Sequence, residues 1–483
     1  MTKTVYDIIG IGIGPFNLGM AALTDPIESL KCLFFDQNKE FNWHPGMMLD
    51  NARLQVPFYA DLVTLADPCS RFSFMSFLKA KQRMFRFAIL EDNFITRREY
   101  NEYCQWVAGQ LSSLQFGYRC EAVRFDASEN IYAVHVRDVV TQMGYVHYCK
   151  HLVIGVGMVS AVPECVSSLL TSTSSPHKEE RRIQSDVDPI IIHSSDYLYF
   201  KERLLTKKSV AIIGSGQSAA EIFYDLLTAS PLTLSTGGEG ERSLNWFTRT
   251  ERFMPMDYSK FALEMTSPDY IKHFYSLSAE KKKSILHSQD TLFKGINFSL
   301  IEDIYRELHQ QWNYNTVNFP ALYPNSELTG INIADDRSIK MSFYHGECNR
   351  PFDHVAEAVI LATGYRYEIP AFLDPIKELI LLTADSSTLR QTQDKLSSGQ
   401  AQYQVNEDYS IDEGHSIFVQ NAELHSHGFN APDLGMGPYR NASILNSILG
   451  YECFVMERDV CFQKFGVPEP SPLPLSQRER VET

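Results

Sequence analysis

The chain has 483 residues, 44% of them apolar, enough for two or three domains around a substantial core. Its net charge of −15 argues against a nucleic-acid or anionic-membrane surface, because a phosphate polymer needs clustered Lys and Arg, whereas a small cationic partner suits that field. The opening "MTKTVYDIIGIG" carries no signal pattern and no apolar run approaches about 18 residues, so a soluble cytoplasmic protein without a membrane span is expected. The nine cysteines are scattered and form no C-x-x-C pair, which points to buried thiols rather than a dithiol redox motif or a zinc ribbon.

In chain order, "YDIIGIG" reads as a buried strand running into a glycine turn and a helix start. Gly10 is expected to permit the tight turn and Gly12 to remove the Cβ that would block a pyrophosphate. Beyond Gly14, the helix start offers free N–H groups to phosphates. Pro15 is well accommodated in a first helical turn. The next strand, "KCLFFD", ends in Asp36, where an acid can accept from ribose hydroxyls. A third strand is expected at "HLVIGVG", and residues 166–188, rich in Ser and Thr and then charged, read as a solvated loop.

The device then recurs. "VAIIGSGQSAAEIF" places Gly214, Gly216 and Ala219 in the G-x-G-x-x-A form after a second buried strand. Its following strand, "LNWFTRT", ends near Arg249 with no acid, which favours the 2′-phosphate of NADPH over the free hydroxyl of NADH. Residues 255–311 look helical and read as a small insert; "AVILATGY", with Thr363 and Gly364, is similar to the crossing segment of two-dinucleotide flavoproteins. Residues 386–402 read as a loop and "PEPSPLPLSQRERVET" as a mobile tail. A nucleotide site at the N-terminus and another near the middle are what hydride relay from NADPH to FAD requires. Without C-x-x-C the disulfide reductases drop out, and no F-x-G-x-x-x-H segment of other flavin monooxygenases is present.

Five stretches are more specific: "FNWHPGMM" (41–48), "LQVPFYADLVTLADP" (54–68), "TRREYNEYCQW" (96–106), "GSGQSAAEIF" (214–223) and "ILATGY". Together they resemble the N-hydroxylating flavin monooxygenases of siderophore biosynthesis, the lysine/ornithine/diamine family, over nearly the whole chain. The resemblance implies FAD held tightly, NADPH and O2 as co-substrates, oxygen transfer through a C4a-hydroperoxyflavin to an unprotonated primary amine, and a homo-oligomer, often a tetramer. It implies an α/β fold: two Rossmann-like dinucleotide-binding domains and a small, mainly helical substrate domain. The expected boundaries are 1–190 with 415–483 for FAD, 191–252 with 312–370 for NADPH, and 253–311 with 371–414 for substrate.

Residue by residue, the resemblance has Asp36 through His44 wrapping the adenosine end of FAD, with Trp43 and His44 offering flat faces and ring nitrogens. Gln55 falls beside the isoalloxazine, while Pro432, Asp433 and Leu434 close over the flavin from the C-terminal side. Gly216, Gln217, Ser218 and Ala219 would contact NADPH phosphates. Asn297 would touch both NADP and substrate, or else be a plain helix-cap asparagine. Gln55 and Asn297 are the candidates nearest the chemistry. No Ser/His/Asp or metal constellation is recognised, which fits chemistry carried by a cofactor.

The substrate class turns on three positions. Where amino-acid hydroxylases of this family hold a carboxylate with lysine, this chain has Ala60; Leu263 stands where ornithine-specific relatives have asparagine, and Gly435 replaces a serine. A carboxylate buried opposite Ala60 without its cation would lose about 2–5 kcal/mol. The reading is therefore a diamine, putrescine or cadaverine, rather than lysine or ornithine, with Glu264 and Asp257 as candidate partners of its distal ammonium. From another class, a non-catalytic flavin-binding sensor has little use for the second glycine turn.

Overall fold

The apolar runs become strands of two largely parallel sheets. The computed structural model describes residues 3–166, 169, 189–229, 243–314, 319–383 and 401–467. In the first sheet, Val5–Ile11 (β1) lies between Cys32–Asp36 (β2) and the long strand Gly144–Ile154 (β6), parallel to both. Gly10 sits in register with Phe34 on one side and Val153 on the other. Leu114–Phe116 (β3) extends the parallel side. Tyr118–Asp126 (β4) pairs antiparallel with Ile131–Asp138 (β5), which pairs antiparallel with the first half of β6. The second half of β6 pairs in parallel with Ile417–Val419 (β17), so the C-terminal region completes the N-terminal sheet. Helices Pro15–Thr24 (α1), Phe74–Ala80 (α2), Met84–Leu90 (α3) and Arg97–Ala108 (α4) belong to this part of the chain.

A two-stranded ribbon of Val159–Ser160 (β7) and Tyr365–Arg366 (β16) joins the two halves. The second sheet is entirely parallel, with Ala321–Tyr323 (β11), Ser243–Phe247 (β10), Ser209–Ile213 (β9), Ala358–Leu361 (β15) and Ile190–His193 (β8) in that spatial order. Its strands read as nearly continuous buried apolar runs, as a parallel sheet covered on both faces demands. Tyr197–Leu205 (α5) and Gln217–Ala229 (α6) lie on one face. An antiparallel sheet of Ser326–Ile333 (β12), Ile339–His345 (β13) and Arg350–Ala356 (β14), which the sequence reading did not foresee, covers the other through Met341 and Phe343.

The insert is helical as expected: Lys260–Leu263 (α7), Pro268–Ser276 (α8), Ala279–Ser288 (α9), Asp290–Phe293 (α10) and Phe298–Tyr314 (α11). Of the 371–414 stretch, expected to go with it, the described residues 371–383 and 401–414 pack instead on the first sheet. Leu373, Ile376, Ile380, Tyr403, Val405 and Ile411 share one core with Ile9, Ile11, Leu33 and Leu152, because their apolar side chains cover the face that α1 leaves open. Leu424–His427 (α12) and Met436–Leu449 (α13) follow, and α13 lies against α1. Most of 166–188, most of 386–402, and the tail from 468 on lie outside the described residues.

Candidate active site

The first turn is built by close approach. A Cβ on Gly10 would stand 2.1 Å from the Phe34 ring, and one on Gly12, whose φ is +89°, 2.4 Å from the Gly155 carbonyl oxygen. Gly12 is thus already required by the backbone that follows β6. A Cβ on Gly14 would meet nothing within 4 Å, so Gly14 is the residue that leaves the helix mouth clear. There α1 starts at Pro15 with no side-chain cap, and its first N–H groups and positive dipole end suit a pyrophosphate. Asp36 braces the turn: Oδ2 accepts from Ile13 N at 2.7 Å, and Oδ1 from Asn38 N at 2.7 Å and Asn38 Nδ2 at 2.9 Å. Oδ2 keeps a lone pair for a ribose hydroxyl. These residues fit a dinucleotide.

Beneath the turn runs a buried polar network with no signature in the sequence reading. Asn17 Nδ2 donates to Gly12 O at 2.8 Å, and Gln420 Nε2 donates to Asn17 Oδ1 at 2.9 Å and Asn441 Oδ1 at 2.8 Å. Arg440 Nε donates to Gln420 Oε1 at 3.2 Å, its guanidinium pairs with Glu423, and it lies 4.2 Å from the Phe16 ring centroid. Arg440 and Glu423 are 2% and 0% exposed, so this pair is sealed. Polar residues on the buried face of α13 were the available signal.

Around the flavin-side residues, Trp43 N donates to Asn101 Oδ1 at 2.8 Å, and its ring meets Tyr100 edge-on at 5.2 Å. His44, in the left-handed region at φ 48°, lies deep in the molecule yet keeps an exposed face, as the wall of a recess does. Burial, and then Arg97, lowers its pKa to about 4, so the ring is neutral near pH 7. Leu434 packs on the same core as Trp43; Pro432 is half-buried just before it. Gln55 Nε2 reaches Gly295 O at 3.3 Å and Met256 Sδ at 3.1 Å, which places the helical insert against the first nucleotide domain. The buried Tyr258 hydroxyl neighbours Gln55 without an aligned hydrogen-bond partner, and burial pushes its pKa up to about 12. The crossing segment is real: Thr363 Oγ1 donates to Ala161 O at 2.5 Å, and Gly364 O accepts from Ala161 N at 2.9 Å.

At the second turn, Gly214 has φ +148°, and a Cβ there would lie 2.0 Å from Ala362 O. Gly214 N donates to Phe247 O at 2.9 Å, so the end of β10, and with it the exposed Arg249, stands beside the turn. Gly216 approaches Lys294 O, 3.5 Å from where its Cβ would be, and Ser218 is half-buried in the first turn of α6. Ala219, expected at the phosphates, is fully buried against the second sheet and serves helix–strand packing. The Gln217 side chain is also engaged elsewhere: Nε2 donates to Glu221 Oε1 at 3.0 Å, and Oε1 accepts from Asn297 N at 2.8 Å. Glu221 in turn takes Arg97 Nη2 at 3.0 Å and Nη1 at 3.1 Å, and Arg97 Nη1 also donates to Met47 O at 2.6 Å. One hydrogen-bonded file therefore links both nucleotide domains and the insert. Asn297 Oδ1 accepts from Ser299 N at 3.1 Å and Oγ at 2.9 Å, so the asparagine does cap α11; its Nδ2 makes no hydrogen bond among the described residues.

Of the three substrate positions, two meet. Ala60 is buried, and a Cβ on Gly435 would touch Ala60 Cβ at 3.2 Å and Asp433 Oδ1 at 3.1 Å. Leu263 stands 40% exposed at the end of α7. Glu264 is not poised for an ammonium: its carboxylate accepts from Phe462 N, Gln463 N and Gln463 Nε2, pinning the chain's later segment to the insert. Asp257 is exposed and accepts from Ser259 N at 2.8 Å in a local turn. Among the described residues no helix is long and apolar enough to cross a membrane, and no group of three or more His, Cys, Asp or Glu could hold a metal.

The comparisons agree with this geometry. The sequence model of the L-lysine 6-monooxygenase/L-ornithine 5-monooxygenase family matches residues 4–367. A putrescine N-hydroxylase of Shewanella oneidensis is 43% identical over 96% of this chain and 85% of its own length. A putrescine N-hydroxylase of Acinetobacter baumannii is 40% identical over 96% and 94%. The crystal structure of an FAD-bound cadaverine monooxygenase of the desferrioxamine pathway from Erwinia amylovora superposes with a TM-score of 0.84 at 41% identity, covering 97% of this chain and 100% of that one. With two glycine turns, a crossing segment and a helical insert against Gln55, the chain belongs to the L-lysine 6-monooxygenase/L-ornithine 5-monooxygenase family.

Proposed function

We propose that this chain N-hydroxylates one primary amine of an aliphatic diamine, putrescine or cadaverine, with FAD, NADPH and O2, for hydroxamate siderophore biosynthesis. The observation that carries the reading is the buried Ala60 beside Gly435: residue 60 offers a substrate carboxylate a methyl group in place of a cation. The diamine activities named for the relatives support it. When bound, FAD reduced by NADPH supplies the activated oxygen.

The protein's own work is binding and orientation. The N–H groups at the start of α1 hold the FAD pyrophosphate, Asp36 its ribose, and Trp43 and His44 its adenosine side; those at the start of α6, with Ser218 and Arg249, take NADPH. Gln55, the Asn297 amide and the segment Pro432 to Leu434 surround the reacting end, and the insert excludes water there. A free alkylamine has a pKa of about 10.4, and exclusion of water at the reacting end favours its neutral form there. Phe85, Ile89 and Leu90 on α3 are exposed and support a homo-oligomer, a tetramer by the resemblance. The free cysteines support a reducing, cytoplasmic setting.

The test is hydroxylamine formation by the FAD-loaded protein with putrescine, cadaverine, lysine and ornithine side by side. Diamine turnover well above both amino acids is expected; the reverse order would overturn the reading.

A further inference from the structure

We propose that Asp433, which borders Ala60 and Gly435, receives the distal ammonium of the diamine. The inference rests on the diamine reading above and names the partner that reading lacks.

Three observations converge on this carboxylate. Its Oδ1 is tied by Gly435 N at 2.7 Å and Met436 N at 3.3 Å, which fixes the group at the start of α13. Oδ2 accepts no hydrogen bond, and no Lys, Arg or His stands within ion-pair distance, among the described residues. The field of Arg440 reaches it, but Arg440 is already paired with Glu423. Asp433 is thus a half-buried anion without a cation.

Its placement supplies the second observation. The point where a Gly435 side chain would begin touches both Asp433 Oδ1 and Ala60 Cβ. A cation on residue 60 would pair with this carboxylate; alanine leaves it to a cation from outside. The empty valence and the absent lysine are two sides of one charge arrangement.

The third observation gives direction. Tyr258, with its unpartnered buried hydroxyl, neighbours Gln55 and lies within the field of Asp433. Gln55, Tyr258 and Asp433 therefore form a series of neighbouring polar groups, with Tyr258 between the influences of the other two. A diamine laid along it presents its neutral nitrogen to the reacting end and its ammonium to Asp433. Burial penalises the Asp433 anion and raises its pKa, so an incoming ammonium recovers charge stabilisation that the free protein lacks. Of the other acids considered, Glu264 is engaged by the Phe462 and Gln463 N–H groups and the Gln463 amide, and Asp257 is exposed.

The experiment compares the FAD-loaded wild type with Asp433→Asn on putrescine, cadaverine and butylamine, which has the same reacting amine and no second charge. Asparagine keeps the capping oxygen and removes only the charge. The ratio of kcat/KM for diamine to that for butylamine is expected to fall about 30-fold or more, chiefly through KM, as loss of one member of a desolvated charge pair requires. Ala60→Lys, which leaves the cap intact and places a cation against the carboxylate, is expected to produce the same loss should the first variant not retain FAD. A ratio within about threefold of wild type in either FAD-retaining variant overturns the assignment. Wild-type protein that ignores both diamines overturns the proposed function and this inference together.

Discussion

The two glycine turns share a sequence form and differ in what stands behind them. The first rests on a sealed network in which Asn17, Gln420, Glu423, Arg440 and Asn441 are hydrogen-bonded to one another and to the backbone of the turn. The second is held by Ala362, Phe247 and the partly accessible file from Arg97 through Glu221 and Gln217 to Asn297. A turn over a sealed network suits a nucleotide that stays, and one over a file joining three domains suits a nucleotide that comes and goes. The same fingerprint is thus set in two different surroundings.

Variants of each turn sharpen that contrast. The largest effect is expected from Arg440→Met, which leaves Glu423 buried and unpaired: about 3–5 kcal/mol of stability should be lost, and FAD with it. Thermal denaturation and the flavin-to-protein absorbance ratio read both. Next, Gly214→Ala forces a side chain onto Ala362 O at a positive φ, and overpacking of about 1–3 kcal/mol should slow NADPH-driven flavin reduction roughly 10-fold or more while FAD is retained. Loss of FAD in that variant would show that the turns are not independent.

Arg249→Ala should raise the KM for NADPH about 10-fold and leave that for NADH alone, the loss of one charged hydrogen bond to a phosphate. A parallel change for NADH would remove Arg249 from the 2′-phosphate. Glu221→Gln loosens a pair whose side chains are 13% and 4% exposed; hydroxylamine formed per NADPH oxidised should fall about fivefold, with FAD content kept. Unaltered coupling there would reduce the file to a structural strut. Smallest is a pH effect. As pH falls through the raised pKa of Asp433, its carboxylate protonates and the diamine preference over butylamine should decline; Asp433→Asn should lack that acid limb.

What was legible in the sequence followed from local necessity. Gly10, Gly12 and Gly214 announce themselves because only glycine tolerates the approach of Phe34, Gly155 and Ala362, and the buried strand runs have period and length. Their individual roles were less readable, since Gly12 and Gly14 differ only in what distant residues do nearby. Ala219 fits a motif whose third position serves packing, so the motif could not separate phosphate contact from a buried helix face. The 371–414 stretch has no long periodic segment, and its docking on the first sheet depends on side chains spaced across a polar stretch. Glu264 was chosen by chemistry, and its partners, Phe462 and Gln463, lie far along the chain.

The long strand β6 accepts β1 on one edge and, on the other, β5 and then β17. Asn17 and its partner Gln420 are 403 residues apart, so the platform under the first pocket is assembled only after β17 and α13 have been made. A chain lacking β17 and α13 therefore lacks half of the platform on which the first turn rests.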